Sequence, residues 1–259
     1  MIPVYVLNLA RSPERRAFMM EGLGRAGVVP EFVAAVDGRA CRSTRPPRAA
    51  LSRAEAASVL SHRKAWRRLL RSDAGFAVVL EDDVHLGADF AALLAADWSG
   101  LEFDAVKLET MSTRVWLARR GLGVAGRTLR RLGAEHLGAA GYLISRAGAR
   151  KALALTRPLC ECADQTLFGR GPIFEGAVVA YQLFPAIVVQ DNVLPDAAAR
   201  RGVATTLHES DRLALTAAAK RVKPGGLKRL AREAGRLYQQ ARRIVRLWPT
   251  MRRQLVPFR

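Results

Sequence analysis

The sequence predicts an α/β fold with a mixed, largely parallel sheet flanked by helices, and three observations support this prediction. Strand-like and helix-like segments alternate over residues 2–190, which is typical of parallel strands joined by crossover helices. The apolar run Phe76–Leu80 is bounded on one side by Asp73 and Gly75, as expected for a buried strand. Half of the 259 residues are hydrophobic, so the chain can bury a sizeable core.

Local sequence signals define the individual elements. The predicted strands are residues 2–9, 31–36, 76–80, 104–109, 141–145 and two short segments within 177–191. The predicted helices are residues 13–26, 52–71, 90–96 and 146–155, with a short helix near residue 164. Ser12 and Pro13 suit the start of the first helix, and Ser52 with Glu55 forms a capping box at the start of the second. Residues 111–137 show no clear period, and we predict no element there.

Three consecutive carboxylates, Glu81, Asp82 and Asp83, follow the strand that ends at Leu80. Because unpaired charge is costly to bury, we expect them at the carboxyl end of this strand, where open α/β sheets bind ligands. Adjacent carboxylates repel one another unless a cation neutralises them, and hard oxygen ligands suit Mg²⁺ or Mn²⁺ shared with substrate phosphates. The triplet therefore indicates either a metal site or a solvated acidic turn.

Other polar residues lie close to the predicted strand ends or on a predicted helix. Arg11 and Arg16 flank a strand-to-helix turn, which can bind an anion, although both also suit a solvated helix face. Asp37 follows the second strand, where it can bind a ribose hydroxyl or a base, or form an ordinary Asp-Gly turn. His62 lies within a helix and is either a structural residue or part of a site.

Positive charge is concentrated in the last sixty residues. The net charge is +19, and residues 200–259 contain 16 Lys and Arg residues but only three acids. An apolar stripe with spacings of three and four runs through Leu227, Leu230, Ala234, Leu237, Ala241, Ile244 and Trp248. We therefore predict an α/β domain at residues 1–199 and a basic amphipathic helical region at 200–259. Residues 213–256 can contact an anionic membrane or pack on protein, and they lack the spread of stacking aromatics that favours nucleic acid.

Composition also indicates the compartment. No apolar run reaches the roughly 18–20 residues that a membrane span requires. The first residues lack the pattern of a signal peptide, and an odd number of cysteines suits reduced thiols. Cys160 and Cys162 have no second pair at zinc-ligand spacing, so we assign them to packing. We expect a cytoplasmic protein, either free or peripheral on the inner face of the cytoplasmic membrane.

Several segments, taken together and in order, resemble glycosyltransferase family 25, the lipooligosaccharide galactosyltransferase-like family related to collagen galactosyltransferases. They cover about residues 2–192, and the ordered set is more specific than any single piece. The matching segments are Val4–Leu9 with Arg11, Arg15 and Arg16; Phe32–Gly38; Leu51, Ser52, Glu55, Leu60–His62 and Trp66; Val79–Val84; Asp104–Leu108; Gly141–Ser145 with Ala149; Asp164; and Pro185 with Gln190.

The resemblance implies a GT-A-like fold and inverting transfer of galactose or glucose from a UDP-sugar to a cell-envelope oligosaccharide. It makes the acidic run the counterpart of the GT-A metal motif, with Asp82 and Asp83 contacting Mn²⁺ or Mg²⁺. The donor-binding candidates are Asn8, Arg11, Arg16, Asp37, His62, Glu81 and Asp82. The chain departs from the family pattern at Ala56–Ser58, where the family usually has a glycine and a cysteine, and in its basic tail.

A transferase of this kind also needs a group that takes the proton of the acceptor hydroxyl, and a nearby carboxylate can do this. Asp164 is the first candidate because it follows the strand at 141–145, where an acceptor site would form. Its alternative role is to cap a helix, and Glu109 is the second candidate for the base. A different class of function is a non-catalytic α/β binding protein whose basic tail holds an anionic membrane or nucleic acid. Metal-dependent UDP binding separates the two classes.

Overall fold

The computed structural model describes residues 2–40, 51–157, 159–169, 178–194, 199–202 and 249–259. Its helices are α1 (Pro13–Arg25), α2 (Arg53–Arg71), α3 (Phe90–Ala95) and α4 (Arg146–Leu155), with one π-helical turn at Gln165–Gly169. Its strands are β1 (Val4–Asn8), β2 (Glu31–Ala34), β3 (Phe76–Glu81), β4 (Val84–Leu86), β5 (Ala105–Lys107), β6 (Glu109–Thr110), β7 (Arg114–Ala118), β8 (Leu122–Val124), β9 (Arg127–Arg131), β10 (Gly141–Ser145), β11 (Ala180–Phe184), β12 (Val188–Gln190) and β13 (Met251–Leu255). The elements predicted outside 111–137 and the C-terminal region are present within a few residues of their expected bounds.

In the described part of the chain, eight strands form one mixed sheet in the order β2-β1-β3-β10-β5-β11-β9-β8. The pairs β1–β2, β1–β3 and β5–β11 are parallel. β10 and β9 run against the other six strands, so the remaining neighbouring pairs are antiparallel. Six of the eight strands of this sheet run in the same direction, as a largely parallel sheet predicts. However, most neighbouring strands pair antiparallel, so the prediction is wrong for the pairing.

Helices cover both faces of this sheet, and the alternation of side chains along the strands divides the core in two. Tyr5 and Leu7 of β1 pack on one face in a cluster with Trp66 of α2. Val4 and Val6 point to the other face, where the core includes residues of α1 and α3. β1 is buried at all five positions, which explains why it is a continuous apolar run rather than an alternating one.

Residues 111–137, where we predicted no element, form β7, β8 and β9. β9 pairs with β11 and β8 with β9, so these two strands extend the sheet at one edge. In β7 the buried Val115 and Leu117 alternate with more exposed residues. This two-residue period is a strand signal that could have been recognised at the sequence level.

The last described residues correct the prediction of a helical region through residue 259. Met251–Leu255 form β13, which pairs antiparallel with β7. Val256 is fully buried and its carbonyl accepts a hydrogen bond of 2.7 Å from the Thr110 hydroxyl. Pro249 precedes this strand, and proline cannot continue a helix. The apolar stripe at 227–248 and the membrane contact predicted from it lie outside the described residues.

We expect Val256→Ala to lower the free energy of unfolding by about 2 kcal/mol, because it removes two methyl groups from a fully buried site. The neighbouring Leu255 is 48% exposed, so Leu255→Ala is a matched control with an expected loss below about 0.5 kcal/mol. Urea unfolding measures both values. Equal losses would show that the final strand does not pack on the domain.

Candidate active site

The three carboxylates lie at the carboxyl end of β3, as predicted. β1 is the parallel neighbour of β3, and its register places Leu7 opposite Glu81. Asn8 therefore comes beside Asp82, and its Nδ2 donates a hydrogen bond of 2.7 Å to Asp82 Oδ2. The sheet thus brings a predicted donor-binding residue, Asn8, into contact with the acidic triplet.

Arg15, which our assignments did not include, binds two of the three carboxylates. Its guanidinium donates one hydrogen bond to Asp82 Oδ1 and another, of 2.6 Å, to Asp83 Oδ2. Arg15 is 4% exposed and shares the buried face of α1 with Met19 and Leu23. The i, i+4, i+8 spacing of these three residues is the sequence signal that identifies Arg15 as inward-facing.

Arg16 does not reach this site, which corrects its assignment to donor binding. It is exposed, and its guanidinium lies 3.8 Å from the centroid of the Phe32 ring. Consecutive helical positions differ by about 100° in direction, so Arg16 points away from the carboxylates that Arg15 contacts.

The acidic triplet retains uncompensated negative charge. Burial, followed by the charge of Glu81, raises the pKa of Asp83 to about 6, and Arg15 opposes this shift. Burial also raises the pKa of Asp82, again against Arg15. Arg15 contacts Asp82 and Asp83 but not Glu81 among the described hydrogen bonds, and a further cation beside the three carboxylates would lower their mutual repulsion.

The residues of the triplet differ in how well they fit the metal ion that the family resemblance implies. Both oxygens of Asp82 accept a hydrogen bond, from Asn8 and from the Arg15 guanidinium, so Asp82 is less available to a metal ion than Asp83 in this arrangement. Within the described residues, Asp83 Oδ1 accepts one hydrogen bond, of 3.3 Å from the Gln190 amide, and does fit. Across the described ranges, no three His, Cys, Asp or Glu side chains converge as a metal site. A single carboxylate still suffices when substrate phosphates and water complete the coordination.

A first cavity of about 360 Å³ opens beside the triplet. Arg11, Arg15, Arg39 and Arg53 line it together with Asp37 and the three carboxylates. Arg11 Nε donates a hydrogen bond of 2.8 Å to Asp37 Oδ2 at its rim. The backbone N–H of Arg39 and, more weakly, the Arg11 side chain lower the pKa of Asp37. The cavity therefore contains the predicted residues Arg11 and Asp37 within an arginine-rich wall.

A second cavity of about 740 Å³ adjoins the first. Its lining includes His62, Glu135, His136, Asp164 and Asn192. The two cavities share the wall residues Ala54, Ser58, Glu81 and Gln190. The two cavities therefore adjoin at these residues.

Asp164 and Glu109, the two candidate bases, differ in their access to the second cavity. Asp164 lines it, and its carboxylate accepts hydrogen bonds from the backbone N–H groups of Gly138 (3.0 Å) and Gln165 (2.7 Å). Glu109 is fully buried, 2.7 Å from the ammonium group of Lys107. No acceptor molecule can reach it there, so the structure does not support Glu109 as a base.

Two buried histidines line the second cavity. His62 Nδ1 lies 2.9 Å from the Tyr142 hydroxyl, and His62 Nε2 lies 3.6 Å from Glu81 Oε1. His136, which our sequence reasoning missed, has its Nδ1 2.8 Å from Gln182 Oε1. Burial lowers the pKa of His136 to about 3. Because residues 111–137 gave no clear period, His136 had no placement in the predicted sheet.

Comparison with known proteins identifies the family. The family model described as glycosyltransferase family 25 (LPS biosynthesis protein) matches residues 1–167. The chain belongs to glycosyltransferase family 25. A lacto-N-neotetraose biosynthesis glycosyltransferase LgtB of Neisseria gonorrhoeae is 34% identical over 206 residues, covering 72% of this chain and 74% of the relative. A putative glycosyltransferase of Haemophilus influenzae is 29% identical over 204 residues, covering 74% and 72%.

This family 25 protein is a glycosyltransferase of the lipopolysaccharide biosynthesis family. A solved structure of a glycosyltransferase involved in glycosylation of the major capsid of PBCV-1 covers 73% of this chain and 91% of its own, with a TM-score of 0.42 and 9% identity. Among the described residues, no helix has both the length and the apolar character needed to cross a bilayer.

Proposed function

We propose that this enzyme transfers a hexose, galactose or glucose, from a UDP-sugar to a cell-envelope oligosaccharide, with inversion at the anomeric carbon and on a GT-A-like scaffold. The observation that carries the proposal is the pair of cavities that share one wall beside the acidic triplet. A transferase must hold two substrates side by side, and these cavities offer two compartments in contact. The LgtB relative is named for the biosynthesis of an oligosaccharide, which supports an acceptor of that class.

The first cavity suits the nucleoside diphosphate. Guanidinium groups donate strong, charge-assisted hydrogen bonds to phosphate oxygens, and Arg11, Arg39 and Arg53 line this cavity. Asp37 follows β2, at the sheet edge where acidic residues of α/β proteins bind ribose. Arg15 neutralises part of the negative charge of the acidic triplet, which lowers the repulsion between the triplet and the diphosphate.

Asp83 would hold Mn²⁺ or Mg²⁺, and such an ion, when bound, neutralises the charge that develops on the leaving diphosphate. Arg15 and Asn8 keep Asp82 in place behind it. The Gln190 amide donates to both Glu81 and Asp83 at 3.3 Å and so bridges the two carboxylates in the shared wall.

The second cavity suits the acceptor. Its carboxylates and histidines can hydrogen-bond the hydroxyl groups of a sugar. Asp164 takes the proton of the attacking hydroxyl while the acceptor oxygen bonds to the anomeric carbon and the bond to the diphosphate breaks. Backbone N–H groups orient the Asp164 carboxylate from two sides. In this proposal the acceptor attacks the sugar from the side opposite the leaving diphosphate, and the anomeric centre is inverted.

Calorimetric titration of UDP with Mn²⁺, and again with EDTA, tests this proposal. We expect metal-dependent binding in the wild type and an affinity at least about 10-fold lower in Asp83→Asn, because the variant loses the charged ligand. Asp73→Asn makes the same chemical change on an exposed residue before β3 and is the matched control. Metal-dependent binding that survives Asp83→Asn would contradict the metal assignment. A folded wild type that binds no UDP in either condition would favour the non-catalytic binding protein.

A further inference from the structure

Three buried side chains form a chain of hydrogen bonds that ends at the wall between the cavities. Trp66 Nε1 donates to the Tyr142 hydroxyl oxygen at 2.8 Å, and that oxygen lies 2.9 Å from His62 Nδ1. Trp66 and Tyr142 are fully buried and His62 is 1% exposed. We call Trp66, Tyr142 and His62 the hydroxyl relay.

The direction of the hydroxyl relay follows from which atoms carry protons. The indole N–H of Trp66 can only donate, so the Tyr142 oxygen accepts. The Tyr142 proton is buried and needs an acceptor, and His62 Nδ1 is the atom in the described structure that offers one. Nδ1 of His62 therefore accepts, and its proton is on Nε2.

The Nε2–H of His62 faces Glu81 but makes no hydrogen bond to it. The distance from His62 Nε2 to Glu81 Oε1 is 3.6 Å, longer than a hydrogen bond. The other carboxylate oxygen of Glu81 accepts a 3.3 Å hydrogen bond from Gln190. A donor and an acceptor thus lie side by side in the wall of the second cavity, each with capacity left for a partner.

We propose that His62 and Glu81 together bind one hydroxyl group of the hexose that is being transferred. A sugar hydroxyl both accepts and donates, so its oxygen can take the His62 Nε2–H while its proton goes to Glu81. This inference rests on the proposed function, which places the nucleotide in the first cavity and the acceptor in the second. The transferred hexose then lies between them, where Glu81 belongs to both linings.

His136 is an internal reference for this assignment, because its hydrogen bonds require the opposite tautomer. Gln182 Nε2 donates to the backbone carbonyls of Lys107, Glu109 and Leu183, so Gln182 Oε1 is the atom facing His136. That oxygen can only accept, so His136 carries its proton on Nδ1. The structure therefore assigns the Nε2–H tautomer to His62 and the Nδ1–H tautomer to His136.

Nitrogen NMR of ¹⁵N-histidine-labelled protein at mildly alkaline pH tests the relay without any ligand. We expect two buried histidines in opposite tautomers, assigned by the loss of one signal set in His62→Gln. In Tyr142→Phe the His62 preference should be lost while His136 keeps its tautomer. A His62 that carries its proton on Nδ1 in the wild type would overturn the relay and the inference.

The dissociation constants of UDP, UDP-galactose and UDP-glucose, measured with Mn²⁺ and without acceptor, test hydroxyl binding. The quantity to compare is the dissociation constant of the UDP-hexose divided by that of UDP. For the UDP-hexose that the enzyme uses as donor, His62→Leu should raise this ratio about 10-fold, because one hydrogen bond to the hexose is lost. His62→Gln keeps an N–H donor and should retain much of the wild-type ratio. Trp98→Phe removes a buried indole hydrogen bond to Leu93 elsewhere and should leave the ratio unchanged.

The outcomes separate this inference from the proposed function. An unchanged ratio in a folded His62→Leu protein overturns hydroxyl binding by this pair and leaves the transferase proposal intact. A wild type that binds neither UDP nor a UDP-hexose overturns the proposed function, and the inference falls with it. Equal weakening of UDP and UDP-hexose binding in His62→Leu would mean that His62 supports the cavity as a whole, which also overturns the inference.

Discussion

Replacing Arg15 with methionine is expected to lower the free energy of unfolding by about 3–5 kcal/mol, the cost of removing one partner from a buried ion pair. The guanidinium contacts Asp82 and Asp83, and all three residues are less than 10% exposed. Without it, two adjacent and largely buried carboxylates lose their cationic partner. Urea unfolding at about pH 8 in EDTA measures the loss without interference from bound metal.

Two comparisons isolate the electrostatic cause. Arg16→Met makes the same change one residue along α1, where the side chain is exposed and contacts the Phe32 ring, so the loss should be below about 1 kcal/mol. Adding Asp82→Asn to Arg15→Met should restore part of the stability, since one of the unpaired charges is removed. If Arg15→Met and Arg16→Met are equally stable, the buried ion pair is not what holds this end of the sheet.

The pH dependence of the Arg15→Met variant has a defined sign. The pKa of Asp83 is raised from 3.8 to about 6, so the folded state binds this proton more tightly than the unfolded state. Stability from this group is therefore present at low pH and declines as pH rises through the folded pKa. Removing Arg15 removes an influence that lowers this pKa. As the pH is lowered from about 8 to about 5, the variant should therefore regain part of the free energy of unfolding that it lost.

Much of the fold could be predicted because the central strands are buried on both faces. β1 and β10 are buried at every position, and such strands appear in the sequence as apolar runs with a definite end. The position of the acidic triplet follows from the end of β3 alone. The register of β1 against β3 then makes the contact between Asn8 and Asp82 a consequence of strand order.

The predictions that the structure corrects concern residues whose positions are set by the phase of a helix or by distant parts of the chain. Choosing Arg16 over Arg15 was an error of one helical position, and the buried Met19 and Leu23 give the right phase. Glu109 is held by Lys107, two residues earlier, and no local pattern shows that the sheet encloses both. The pairing of β13 with β7 joins residues more than 130 positions apart, and periodicity within a window cannot reveal it.

Asp164→Asn is expected to lower kcat by about 10²–10⁴-fold at saturating donor and acceptor, the range typical of a lost general base. The amide has the shape of the carboxylate, but its single oxygen can accept from only one of the two backbone N–H groups, of Gly138 and Gln165, that the carboxylate binds. It cannot take a proton from the acceptor hydroxyl. The affinities for donor and acceptor should therefore change much less than kcat, which steady-state kinetics with a UDP-hexose can show.

Glu135→Gln is the matched control for Asp164→Asn, since Glu135 also lines the second cavity but is exposed. We expect kcat to change little in this variant. Glu109→Gln should instead reduce stability, because it leaves the buried Lys107 without its carboxylate partner.

If kcat of folded Asp164→Asn equals that of the wild type, Asp164 serves as the cap of the turn that begins at Gln165. The base would then belong among the other carboxylates of the second cavity, Glu55, Glu81 and Glu135.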